Sequence, residues 1–252
     1  MLAPQTFSAD PDRALLEHLA AKASQPYFIA DMWAADLAKA PELGETAATF
    51  ASQLRQEWFS APVQDGFCHL VMSRVRSHLI SSGEPWQNLW AHTLRVAGYA
   101  LHIASDADVE PSHAYLLAIM HDVGKLDEMK TGVSHERIGA MFAQNLLMHE
   151  SDFSPMLIAR MVSAIAKTGS SRDPFVRLLY DADKLDKIGA TGILRRVTAF
   201  AATSSPFMAL RYVQSSLKDF PDLYHTDSEA LATLKRNYTK RFLGAYRQNG
   251  RI

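Results

Sequence analysis

Apolar residues recur at spacings of three and four along almost the whole chain, and no stretch makes a convincing strand. That spacing puts apolar side chains on one stripe of an α-helix, whereas a half-buried strand needs strict alternation. "GFCHLVMSRVRSHLI", residues 66–80, shows it, as do "DRALLEHLAAKA" and "ETAATFASQLRQEWF" within the first 65 residues. Breaks are short. "SSGEPWQNL" precedes a helix over 90–105, and "DADVEPS" precedes "SHAYLLAIMHDV", which Gly124 closes from the position just past a helix, where positive φ is useful. Ser134 is a natural N-cap for "HERIGAMFAQNLLMH", and Pro155 and Pro174 each open a helix, the second running as far as residue 200. Two closing helices follow, "SSPFMALRYVQSSL" and "EALATLKRNYTKRFLGAYRQ". The expected fold is all-α, a compact helical bundle.

At 252 residues the chain can bury a sizeable core, and no internal repeat or low-complexity linker marks a boundary, so one domain over 1–252 is expected. With 48% hydrophobic and 21% charged residues it reads as an ordinary globular protein. No window holds about 18 uninterrupted apolar residues and no signal segment opens the chain, which points to the cytoplasm and away from a membrane. A net charge of -1 gives no field strong enough to argue for nucleic acid. The single cysteine, Cys68, excludes an intrachain disulfide and a cysteine-based zinc site, and suits core packing. Oligomeric state is not legible.

The stretch "AIMHDVGKLDE" ends an apolar helix with His121 and Asp122. A carboxylate in a last helical turn is disfavoured by about 0.3 to 1 kcal/mol, and a divalent cation would reverse the sign. A bare His-Asp pair is more often a solvated carboxylate beside a hydrogen-bonded histidine. His92 upstream and "DADKLD" downstream, where Asp183 lies near the end of the run "FVRLLYDA", change that balance. Two imidazoles and two carboxylates make an N2O2 set that neutralises a divalent ion and leaves octahedral positions for water and a substrate oxygen. Residues two apart point about 200° from each other on a helix, so Asp181 and Asp183 cannot both face one site, whereas Asp183 and Asp186 can.

With His92, the pair His121–Asp122 in "HDVGK", and Asp183 in "DADKLDKIGATGILR", the chain resembles the HD-domain superfamily of metal-dependent phosphohydrolases. The likeness covers about residues 66–200 and is greatest to small bacterial nucleotide-hydrolysing members. It implies an HD-type bundle with a helical extension over 1–65 and closing helices over 201–252. It also implies one divalent ion (Mn, Mg, Fe, Co or Ni) on His92, His121, Asp122 and Asp183, and hydrolysis of a phosphate ester or anhydride, of a nucleotide. Lys125 and Arg195 match phosphate-contacting positions, and Asp122 or Asp186 is placed to accept a water proton, Asp186 alternatively to orient a ligand histidine. His135 matches the third histidine of two-metal members and is a substrate-phosphate candidate here. Where those members have a further histidine this chain has Lys167, which argues for one ion and against a di-iron oxygenase. Trp90, Tyr180, His102 and His149 read as core or surface residues. The competing reading is a non-catalytic HD module that binds a nucleotide or a protein.

Overall fold

The computed structural model describes residues 66–83, 86–201, 206–218, 220 and 222–249. The two helices expected before residue 66 lie outside the described residues. Among the described residues there are ten helices and no strand. They are α1 (Gly66–Ser82), α2 (Trp86–Ile103), α3 (Pro111–Met120), α4 (Lys125–Thr131), α5 (His135–Glu150), α6 (Pro155–Ile165), α7 (Pro174–Leu185), α8 (Gly189–Ala201), α9 (Pro206–Lys218) and α10 (Thr226–Asn249). None of the described helices is long and apolar enough to cross a membrane.

The starts follow local chemistry. Pro111, Pro155 and Pro174 each stand in a first turn, where the missing N–H costs nothing, and Ser154 and Asp173 accept from the backbone N–H of Leu157 and Phe175. Ser134 does the same for Arg137.

Helix α3 is the centre of the bundle. Every residue from Ala114 to Met120 is buried, and the helix packs on α1, α2, α5, α6 and α7. A helix that is apolar all round has to lie inside, and it carries whatever follows it into the interior. Leu117 is fully buried there. Leu117→Ala is therefore expected to lower the unfolding free energy by about 2 to 5 kcal/mol. Urea unfolding checks this, and a loss below about 1 kcal/mol would contradict a central α3. A second, smaller apolar cluster of Ile193, Leu210, Val213 and Leu243 joins α8, α9 and α10.

Two boundaries near the candidate ligands differ from the expectation. Helix α3 stops at Met120, residues 121–124 form a turn, and α4 follows, a seven-residue helix in which only Leu126 is buried. One buried position gives no apolar stripe to read. Gly124 has φ -82°, so positive φ is not its purpose; a Cβ there would lie 2.6 Å from Cβ of Ile138 and 2.8 Å from the His135 carbonyl oxygen. The glycine lets α5 approach the turn. The run expected to continue to residue 200 breaks after Leu185, with Gly189 at φ +76° opening α8.

Candidate metal centre

Helices α2 and α7 pack side by side, and both pack on α3. That arrangement brings His92, the turn after α3 and the end of α7 together. His92 is buried, with Nδ1 2.7 Å from Oδ2 of Asp186. An ionised carboxylate only accepts, so Nδ1 carries the hydrogen and Nε2 faces the other way. Nε2 lies 3.4 Å from Oδ2 of Asp122 and 3.6 Å from Oδ1 of Asp183.

His121 is oriented by the same logic. Its Nδ1 donates to the Ala118 carbonyl at 2.6 Å, which leaves Nε2 buried, without a hydrogen-bond partner, and 3.5 Å from Oδ2 of Asp122. Burial pushes its pKa down despite the nearby carboxylates, so the ring is neutral with its Nε2 lone pair unspent. Donor atoms of His92, His121 and Asp183 lie within 4.8 Å of one another.

The carboxylates are held ionised. Burial would raise the pKa of Asp122, but its surroundings, the Lys125 ammonium among them, outweigh it and hold it well below the carboxylate range. For Asp183 burial is likewise outweighed, here by Lys187. Lys125 donates to Asp122 at 2.9 Å and Lys187 donates to Asp183. An orphaned buried nitrogen beside converging carboxylate oxygens fits a divalent cation, because burying such acceptors together without one is costly.

Asp186 does not face this convergence. It is fully buried, Oδ1 accepts from Nε of Arg95 at 2.7 Å, and Oδ2 accepts from His92, Arg195 and Nη2 of Arg95 at 3.1 Å. Burial raises its pKa, yet Arg95, His92 and Arg195 bring it well below the ordinary value. Its place behind His92 is the one from which it would orient a ligand histidine, the alternative role expected for it. Arg195 places its Nη1 on Asp186 behind His92, while the side chain stays 38% exposed. Arg95 escaped the sequence reading, although it stands three residues after His92 on one helix face, a spacing that could have flagged it. Asp181 points elsewhere, accepting from the backbone N–H groups of Tyr224 and His225 and from Nδ1 of His225.

The Asp186 charge stabilises the fold above about pH 4, the carboxylate's unfolded value, and that contribution is lost as pH falls through the depressed folded value. Urea unfolding at pH 7 and pH 3 is expected to show a smaller acid-induced loss in Asp186→Asn than in the native chain. Equal losses would contradict the assignment.

On the far side of Asp122 a second group assembles from α4 and α5. Nε2 of His135 is 3.5 Å from Oδ1 of Asp122 and 3.3 Å from Oε1 of Glu136, and its Nδ1 is 2.8 Å from Oε2 of Glu128. Donor atoms of Glu128, His135 and Glu136 lie within 4.8 Å of one another. Lys167 reaches Glu136 at 2.7 Å. Tyr180 stacks edge-on against Tyr224 at 5.4 Å, Trp90 packs on the core, and His149 is exposed. A groove of about 580 Å³ lined by α1 and α5 residues such as Arg74, His78 and Phe142 shares none of the candidate ligands.

Residues 89–188, which hold all four candidate ligands, match the family model of the HD domain. This segment is an HD domain. Among curated proteins, Ribonuclease Y of Ureaplasma parvum serovar 3 is 28% identical over 102 residues, 36% of this chain. The chain spans only about a fifth (22%) of the length of that relative. Among solved structures, an HD-superfamily hydrolase from Bacillus thuringiensis aligns with TM-score 0.59 and 18% identity, covering 73% of this chain and 97% of that one. Bacillus subtilis YpgQ in complex with ADP aligns with TM-score 0.56 and 19% identity, covering 73% of this chain and 94% of that one. At these identities the two structures establish the shared helical fold of the HD domain.

Proposed function

We propose that the chain is a metal-dependent phosphohydrolase that cleaves a phosphate ester or anhydride of a nucleotide. The observation that carries the reading is the convergence of Nε2 of His92 and His121 on oxygens of Asp122 and Asp183, with the His121 nitrogen otherwise unpartnered. These four residues would hold one divalent ion among Mn, Mg, Fe, Co and Ni, since nitrogen and carboxylate donors suit all five. When bound, such an ion supplies a Lewis acid for the phosphoryl oxygen and lowers the pKa of water. Asp186 holds the His92 ring with Nε2 toward Asp122 and Asp183, where it would serve an ion, while Arg95 and Arg195 keep Asp186 ionised. Lys125, at 43% side-chain exposure, spends one N–H on Asp122 and has two more to offer a phosphate at the mouth of the site. The water oxygen bonds to phosphorus as the bond to the leaving oxygen breaks, and the leaving oxygen takes one of the water's protons. A nucleotide is supported by one structural relative, YpgQ, which has been solved with ADP.

The test is direct. Purified protein is analysed for metal, stripped, reloaded with each of the five ions and assayed against nucleotides and p-nitrophenyl phosphate. Ion-dependent phosphate release is expected; ion binding without release from any substrate would defeat the reading. A second reading, a module that binds a nucleotide or protein without turnover, draws on one observation. Lys125, Lys187 and Lys167 already pair with Asp122, Asp183 and Glu136, so the carboxylates have counter-charges of their own.

A further inference from the structure

We infer that Lys167 supplies, as a tethered ammonium, the second cation of this site, and that this lysine limits the chain to one metal ion. The inference rests on the proposal that His92, His121, Asp122 and Asp183 hold an ion. Asp122 is shared between two groups, its Oδ2 facing His92 and His121 and its Oδ1 facing His135. Glu128 clamps His135 twice, accepting from its backbone N–H at 3.2 Å and lying 2.8 Å from its Nδ1. With the Nδ1 hydrogen donated to Glu128, Nε2 of His135 confronts two carboxylate oxygens, Oδ1 of Asp122 at 3.5 Å and Oε1 of Glu136 at 3.3 Å. Carboxylates gathered in this way around one imidazole call for positive charge among or beside them.

The structure places an ammonium there. Nζ of Lys167 lies 2.7 Å from Oε1 of Glu136, the same oxygen that faces His135. The lysine reaches in from the end of α6, 31 residues away in sequence, where its backbone holds φ +56°. For a residue with a Cβ that conformation costs about 1 to 2 kcal/mol, and asparagine, aspartate or glycine would tolerate it better. Lys167 at a position suited to those residues means that its side chain, not its backbone preference, accounts for its presence. A monovalent ammonium satisfies Glu136 but leaves the Asp122 carboxylate to the ion on the other side, so a second divalent ion would have to displace it.

The test counts ions. Manganese per chain is measured by equilibrium dialysis with elemental analysis, and electron paramagnetic resonance reports whether two Mn²⁺ ions lie close together. The native chain and Lys167→Arg are expected to bind one equivalent. Lys167→Asp, which removes the ammonium, adds a donor and suits the left-handed backbone, is expected to bind two, with the spectrum broadened by coupling between the ions. Adding Glu136→Gln to it should return the count to one. Far-UV circular dichroism verifies folding, and because Lys167 is 67% exposed the substitution leaves the core untouched. Two ions in the native chain, or one in Lys167→Asp, overturn this inference while leaving the phosphohydrolase proposal standing. No ion in the native chain overturns both.

Discussion

Asp183→Ala is expected to lower ion-dependent phosphate release by about a thousandfold or more while leaving the helical circular dichroism spectrum unchanged. The substitution removes one of two carboxylates from the candidate ligand set, leaving a single negative charge beside two imidazoles. Losing several kcal/mol of charge stabilisation at the reacting phosphoryl group corresponds, at about 1.4 kcal/mol per factor of ten, to a fall of that size. Manganese affinity should fall in parallel. The fold should not suffer, because Lys187, the partner left behind, is 34% exposed and can be solvated. In the ion-free chain the variant should melt within a few degrees of the native protein, since surface-accessible changes of this kind are small. Phosphatase activity that survives Asp183→Ala unchanged would remove the metal-centre assignment altogether.

Lys125→Ala is expected to reduce kcat about a hundredfold without reducing metal content, the opposite signature in ion binding. Removing a preorganised cation from a site of developing negative charge commonly costs a factor of about 100 to 1,000. The same ammonium donates to Asp122 at 2.9 Å, so its loss frees that carboxylate for the ion and metal affinity should hold or rise. Lys125→Arg should recover part of the rate, because it restores charge but not the compact shape of the ammonium. Full kcat in Lys125→Ala would reduce the lysine to a counter-ion of Asp122.

Much of this architecture is legible in the linear chain. The apolar stripes, the prolines at helix starts and the cap at Ser134 are local, and the helices follow them. Helix α4 is not legible, because an amphipathic signal needs more than the single buried Leu126. Gly124 shows a different limit. A glycine after an apolar run suggests a left-handed cap, yet its reason is the approach of Ile138 and the His135 carbonyl from the next helix. The candidate ligands could be proposed from residue type and order, but their second partners could not. Asp186 and Arg195 both have chemistry suited to catalysis or phosphate binding. The fold turns the two toward each other behind His92, an arrangement suited to orienting that ring.

By itself, the sequence determined an all-helical chain in which His92, His121, Asp122 and Asp183 arrive in an order suited to an ion, because helix periodicity and capping act over three or four residues. Only the tertiary structure decided which nitrogen each histidine presents and which cation each carboxylate keeps. His92 meets Asp186 across 94 residues, Arg95 meets it across 91, and Lys167 meets Glu136 across 31. No local pattern encodes such pairs; they arise because α3, buried on every side, has α2, α5, α6 and α7 packed on it.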